Sequence, residues 1–200
     1  MENQFEILFN NFIKKAGADK EVALRACLTL NLHPPSDYLD ALCFSNGGEG
    51  FIQQSYFRLY SIEELLSLNE AYQVRSFAPG LVIFGSNGGG EAFGFDTRQN
   101  QMEVVQIPFI PMDFQYARPL GKSFVEFLHT LKETDHSDAP PPQIKLSAVG
   151  KEVHEIQPVI FGGSPTEGKN KALVTSEVHA RLSVFWNHIY QERKHGKENK

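Results

Sequence analysis

The chain has 200 residues, of which 41% are hydrophobic and 22% are charged, the composition of a globular protein with its own core. Its two cysteines, Cys27 and Cys43, follow no metal-ligand spacing and are too few for a disulfide framework, so we expect free thiols. We find no basic, apolar leader and no apolar run of about 18 residues, and therefore predict neither a signal peptide nor a membrane span. These features predict a soluble, cytoplasmic protein.

The net charge of −5 is unevenly distributed. Residues 21–121 hold five Arg, no Lys and eleven Asp or Glu, whereas residues 193–200 hold four Lys or Arg. An acidic body repels nucleic acid and speeds the encounter with a basic partner. The alternative interpretation is a solvated acidic surface that keeps the protein soluble.

The first sixty residues predict three helices followed by an extended segment. Apolar residues at helical spacing predict a helix over residues 3–15, and a second helix is expected over residues 19–30. Pro35 begins a short third helix, and Asn46-Gly47-Gly48 ends it, because glycine adopts the left-handed conformation of a C-cap without strain. Residues 51–60 are expected to be extended.

The middle of the chain predicts an antiparallel sheet between two capped helices. Capping boxes at Ser61 to Glu64 and at Ser123 to Glu126 each begin a helix, because the serine and glutamate satisfy each other's free backbone donors. Three β-prone runs lie between them, over residues 81–85, 92–96 and 104–109. The polar residues 86–91 join the first two runs.

The C-terminal part of the chain predicts a linker, a strand and a helix. Three consecutive prolines stiffen the polar residues 134–143, a strand is expected over residues 157–161, and the final helix begins near Ser176. Its expected inward side chains are Val178, Leu182, Phe185, Trp186 and Ile189. The predicted divisions are a domain over 1–133, a linker over 134–143, a C-terminal strand and helix packing on the first domain over 144–192, and a disordered basic tail over 193–200.

The glycine-rich residues 85–91 invite comparison with a phosphate-binding loop. Such loops place backbone N–H groups at a helix N-terminus, usually beside a lysine and a hydroxyl. Here no Lys or Arg is adjacent, Glu91 follows, and the next segment is strand-like. The pattern therefore favours a hairpin turn that requires a positive φ angle.

The remaining candidates for chemistry are isolated side chains. Glu91 and Asp96 would suit acid–base catalysis, but their odd spacing places them on opposite faces of a regular strand. The seven histidines are scattered, with no HExxH motif, and no GxSxG elbow occurs. The sequence predicts no catalytic residue, no cofactor and no metal site.

Four segments in sequence order carry a family resemblance. They are Pro35-Ser36-Asp37-Tyr38, Asn46-Gly47-Gly48, the turn at 85–91 that runs into Phe93-Gly94-Phe95-Asp96, and Ser123-Phe124-Val125-Glu126-Phe127-Leu128. Each motif is weak alone, but their order and spacing resemble those of the SUKH superfamily, and of its Smi/Knr branch in particular. The resemblance covers about residues 18–132.

The resemblance implies an α+β fold with a central, mostly antiparallel sheet flanked by helices. The C-terminal strand and helix would then be an appendage to it. Bacterial members of the branch commonly act as immunity proteins that neutralise toxins, and fungal members act as scaffolds in signalling. No catalytic residues are generally ascribed to the branch, so none are carried over.

These observations favour a non-enzymatic protein-binding module, such as an immunity protein whose partner is a basic toxin domain. We expect no nucleic-acid or membrane partner, and the oligomeric state stays open. The predicted partner-binding residues are exposed carboxylates near the glycine turns, with two more at the rim: Glu49, Glu91 and Asp96, then Glu63 and Glu64. One alternative is a regulatory or scaffolding protein without a toxin partner, and another is a small-molecule enzyme that uses the Glu91/Asp96 turn.

Overall fold

The fold is α+β, as predicted. The computed structural model describes residues 4–52, 54–99, 102–133 and 148–198. The elements in chain order are α1 (Gln4–Leu8), β1 (Asn11–Lys14), α2 (Lys20–Thr29), α3 (Ser36–Phe44), β2 (Gly48–Ile52), β3 (Ser55–Leu59), α4 (Ile62–Ala71), α5 (Val74–Phe77), β4 (Leu81–Ser86), β5 (Glu91–Asp96), β6 (Glu103–Pro108), β7 (Arg118–Gly121), α6 (Phe124–Glu133), β8 (Lys151–Glu155), β9 (Lys171–Thr175) and α7 (Ser176–Glu198). Strands β1 to β7 form one antiparallel sheet in sequence order, and β8 pairs with β9.

The seven-stranded sheet buries a different core on each face. On the first face, phenylalanines of the sheet pack against α1, α2, α3 and α6, and Phe84 lies 4.7 Å from Phe95 between ring centroids. On the second face, smaller sheet residues such as Ile83 pack against α4 and α5, and Ala180 of α7 joins them. The C-terminal helix therefore contributes to the core of the sheet.

Both glycine turns require glycine itself, because of close packing and because of the backbone conformation. Gly48 has φ +131°, and a Cβ atom there would lie 2.5 Å from the carbonyl oxygen of Ile13. Gly88 has φ +71°, and a Cβ atom there would lie 2.6 Å from the ring of Tyr56. The prediction that residues 86–91 form a hairpin turn with positive φ is confirmed, since β4 and β5 pair on either side of it.

The predicted helix over residues 3–15 is wrong beyond Leu8. Residues 11–14 form β1, which pairs with β2 so that Asn11 lies opposite Phe51. Phe12 is buried in this strand as it would have been in a helix. By pairing with β2, this strand provides hydrogen-bond partners for backbone groups that would otherwise lie at an open edge of the sheet. Hydrophobic periodicity within residues 3–15 cannot predict this pairing, because β2 lies far away in the sequence.

The C-terminal elements differ from those predicted. The expected strand over residues 157–161 is instead a 3₁₀ turn at Val159–Phe161, with β8 before it and β9 after it. Helix α7 begins at Ser176 as predicted but extends to Glu198, through most of the predicted disordered tail. Lys194 Nζ lies 2.6 Å from Asp113 Oδ2 and holds this end against the body of the protein. The predicted linker over residues 134–143 lies outside the described residues.

The buried face of α7 is largely polar, contrary to the prediction. Val178, Leu182 and Phe185, expected to face inward, are 39%, 36% and 57% exposed. The buried residues on α7 are Ser176, His179, Ala180, Ser183 and Asn187. The Asn187 side chain accepts a 2.8 Å hydrogen bond from the backbone of Met112 and donates one to Phe109.

Among the described residues, no helix combines the length and apolar character needed to cross a bilayer.

Candidate partner-binding surface

The second face of the sheet carries charged side chains that receive the C-terminal segment. Arg58 on β3 donates to Glu152 of β8 at 3.1 Å and to Glu64 of α4 at 2.7 Å. Ser86 donates to both carboxylate oxygens of Glu152, at 2.9 and 3.1 Å, and Arg58 also donates to Ser176. We call these five residues the Arg58 cluster. Burial raises the pKa of Glu152, while Arg58 and Ser86 oppose that shift.

Glu49 belongs to the same face and is not exposed, contrary to the sequence-based expectation. It lies opposite Arg58 in the register of β2 and β3 and is only 5% exposed. Its carboxylate accepts hydrogen bonds from the Tyr56 hydroxyl and, at 2.8 Å, from the Gly150 backbone N–H. This carboxylate therefore anchors the start of the C-terminal segment within the same chain.

The N-terminus of α4 is fixed by two different caps. Ser61 and Glu64 form the predicted capping box, and Asn46 accepts a 2.9 Å hydrogen bond from the Ile62 backbone N–H. The Asn46 amide also donates to Glu63 at 3.1 Å. The motif Asn46-Gly47-Gly48 thus serves the beginning of α4 as well as the end of α3.

Glu63 and Glu64 differ in whether their carboxylates form salt bridges within the described residues. Burial raises the pKa of Glu64, but the Ser61 backbone and Arg58 outweigh burial, so that its pKa lies below the usual value. Hydrogen bonding from Ser61 lowers the pKa of the exposed Glu63. Both carboxylates are charged at neutral pH, but only Glu63 is free of a salt bridge within the described part of the chain.

The outer face of α4 is acidic and partly apolar. Glu63, Leu66 and Glu70 follow one another at spacings of three and four residues, so they lie on one side of the helix. All three are exposed, with Leu66 38% exposed. The helix contains three glutamates and no Lys, Arg or His. We call Glu63, Leu66 and Glu70 the α4 outer face.

The opposite side of α4 is held rigidly on the sheet. The buried Asn69 side chain donates 2.7 Å hydrogen bonds to the backbone oxygens of Leu65 and Ile83. It also accepts a 3.0 Å hydrogen bond from the Ile83 backbone N–H. A helix fixed at its first turn and at its centre presents its outer side chains in one orientation, as a binding surface requires.

Glu91 and Asp96 lie at opposite ends of β5 and do not form a pair. Burial raises the pKa of Glu91, and Gln106 and Arg118 oppose that shift. Hydrogen bonds from the Arg98 side chain lower the pKa of Asp96. Within the described ranges, no three His, Cys, Asp or Glu side chains are grouped as a metal site requires. Partner binding by Glu91 and Asp96 stays a prediction.

Sequence reasoning named Glu64 but missed Leu66, Glu70 and the other four members of the Arg58 cluster. The absence of basic residues from Ile62–Ala71 was a signal for the first two, because it leaves their helix face without an internal counter-ion. The Arg58 cluster had no such signal, since Glu152 lies 94 residues from Arg58 in sequence. Only the folded chain brings the two side chains together.

Comparison with known protein families confirms the family resemblance that the order of the motifs indicated. The model of the SMI1/KNR4 family (SUKH-1) matches residues 23–130, which extend from α2 into α6 and include β2 to β7. No curated protein matches the chain. The matched region includes the α4 outer face and three members of the Arg58 cluster, whereas Glu152 and Ser176 lie beyond it.

Proposed function

Because the chain belongs to the SMI1/KNR4 family, we propose that it is a non-enzymatic protein-binding module that neutralises a basic toxin domain as an immunity protein. Family membership supports a protein partner. The acidic character of residues 21–121 supports a basic one. Complementary charge raises the rate of encounter between such proteins and disfavours wrong partners.

The proposal rests mainly on the composition and exposure of the α4 outer face. Glu63 and Glu70 are exposed, and neither forms a salt bridge within the described residues, so their charges are available to a partner. Leu66 lies between them and offers apolar contact. Protein interfaces combine an apolar centre with a polar rim, and this face has both parts on one rigid helix.

The experiment is co-expression of the chain with basic toxin domains, scored by growth. We expect one such domain to be neutralised by the wild-type chain, and the purified pair to bind more weakly as salt concentration rises. The double variant Glu63→Lys/Glu70→Lys should weaken binding by about tenfold or more, because each substitution replaces attraction with repulsion. It should also lose the growth rescue.

Glu192→Lys is the matched control, because it reverses an exposed glutamate that lies on α7 and is not part of the α4 outer face. It should bind as the wild type does. An α4 double variant that binds as tightly as this control would refute the α4 surface. Failure to rescue growth with any toxin domain, together with a stable complex with another cellular protein, would favour a regulatory or scaffolding role.

A further inference from the structure

Helix α7 turns its apolar side chains away from the body of the protein. Val178, Leu182 and Phe185 are exposed, whereas the buried side of the helix is mostly polar. Together with the half-buried Ile189, these residues recur at spacings of four, three and four positions. This is the spacing of the seam along which two helices pack on each other. The outward side of α7 therefore has the pattern of a helix that meets another helix.

A neighbouring turn extends this apolar surface beyond the helix. The Phe161 ring stacks on Trp186 of α7 at 4.9 Å between ring centroids, and Trp186 contacts Phe185 at 5.4 Å. The 3₁₀ turn that includes Phe161 also exposes Val159 and Ile160. The turn and the helix thus form one continuous surface. We call the following residues the α7 apolar face: Val159, Ile160, Val178, Leu182 and Phe185.

The size of the α7 apolar face matches what a stable dimer buries. Its five residues are 36–57% exposed, and a fully exposed side chain of this size presents on the order of 150–200 Å². Together they present about 400 Å². Because interfaces are about 60% apolar, this area corresponds to about 700 Å² per copy once a polar rim is included. Two such faces bury about 1,300 Å², which lies within the range of specific interfaces.

The charges beside this face favour a second copy of the chain as its partner. Residues 176–193 of α7 include two exposed Glu and two exposed Arg, namely Glu177, Glu192, Arg181 and Arg193. A face without net charge does not attract a strongly basic protein and does not repel its own copy. The first turn of α7 is acidic, whereas residues 193–197 hold three Lys or Arg. Antiparallel packing therefore brings oppositely charged helix ends together.

We propose that two copies of this chain associate through the α7 apolar face, with their α7 helices antiparallel. Leu182 of one copy then packs on Phe185 of the partner subunit. Val178 packs in the same way on Ile189 of the partner subunit. Such an interface is two-fold symmetric, so each copy contributes the same residues and the assembly is closed. These residues differ from those of the α4 outer face, and the dimer is independent of the proposed function.

Sedimentation velocity over about 1–500 µM protein measures this association. We expect a monomer–dimer equilibrium with a dissociation constant of about 1–100 µM, as an interface near the lower end of the specific range gives. The constant should stay within about threefold between 0.1 and 0.5 M NaCl, because apolar burial contributes most of the affinity. This behaviour distinguishes the dimer from the complex with a basic partner, which weakens as salt concentration rises.

Leu182→Asp should weaken the dimer by about tenfold or more, because it places a carboxylate in an apolar contact. Leu28→Asp is the matched control, since Leu28 lies on α2 and is 40% exposed, against 36% for Leu182. It should leave the dissociation constant within about twofold of wild type. Circular dichroism checks that both variants remain folded.

A mixing experiment tests the antiparallel arrangement. Leu182→Glu alone and Phe185→Lys alone should be monomeric, and an equal mixture of the two should form a heterodimer, because the new charges meet across the interface. A wild-type chain that stays monomeric, equal weakening by Leu28→Asp, or a mixture that stays monomeric would each overturn the proposal. So would a monomeric wild-type chain whose Leu182→Asp variant loses binding of a toxin domain, since the partner would then cover this face.

Discussion

Removing the Glu152 carboxylate should destabilise the protein strongly. In Glu152→Ala, Arg58 loses a partner whose side chain is 0% exposed, while its own side chain is 8% exposed. Breaking a buried ion pair from one side costs about 3–5 kcal/mol, because the remaining charge stays away from water. Arg58 keeps Glu64 at 2.7 Å, which is 30% exposed, so we expect the lower end, about 3 kcal/mol.

Urea denaturation measures this effect, with Trp186 fluorescence and far-ultraviolet circular dichroism as two readouts. Trp186 is the single tryptophan and stacks on Phe161 at 4.9 Å, so its fluorescence reports the C-terminal segment. With a slope of about 2–3 kcal/mol per molar urea, the midpoint should fall by about 1–1.5 M.

The matched control is Glu192→Ala, which removes an exposed glutamate from α7 and should leave the midpoint unchanged. Arg58→Met/Glu152→Leu removes both charges and should recover much of the loss, because apolar replacements of a buried pair are often neutral. A Glu152→Ala midpoint equal to that of the control would refute the reasoning, since the carboxylate would then contribute nothing to stability.

Three further predictions concern the turns, the caps and the buried histidines. Gly48→Ala should lower stability by about 2 kcal/mol or more in urea denaturation, because of its positive φ and the Ile13 carbonyl, whereas Gly90→Ala meets open space and should be near neutral. Ser61→Ala should cost about 1 kcal/mol in the same assay through loss of the capping box, and an unchanged midpoint would contradict that role. Burial lowers the pKa of His179 to about 3, below the unfolded value of about 6.5. Its contribution is therefore present above pH 6.5 and lost on acidification, by about 1.4 kcal/mol per pH unit, and His179→Phe should flatten this slope.

Prediction from the sequence was most accurate for elements that are fixed by contacts between residues close together in the chain. The Ser61 capping box and the hairpin around Gly88 depend on residues within four or five positions of each other, and both formed as expected. The helix over residues 3–15 failed because β1 depends on its pairing with β2, about forty residues away. Hydrophobic periodicity indicates which side chains are buried. Because Phe12 would be buried in a helix and is buried in β1, its burial does not distinguish the two structures.

The face of α7 was mispredicted for a different reason. Hydrophobic periodicity assumes that a helix packs on an apolar surface, and it selected Val178, Leu182 and Phe185. The sheet surface that receives α7 includes Arg58 and other hydrogen-bonding groups, so the helix turns polar side chains such as Ser176 towards it. A sequence pattern cannot identify an inward face when the surface that it meets is itself polar and distant along the chain.

Glu64 connects the stability of the C-terminal segment to the proposed binding surface. One of its oxygens accepts from Arg58 and the other from the Ser61 backbone, so the same carboxylate belongs to the Arg58 cluster and to the cap of α4. Loss of Glu152 would leave Glu64 as the remaining carboxylate within salt-bridge distance of Arg58 among the described residues, so that Arg58 would depend on the carboxylate that also caps α4. Changes in β8 should therefore alter how α4 presents Glu63, even though Glu152 lies outside the matched family region. In this way the C-terminal segment would support the proposed binding surface.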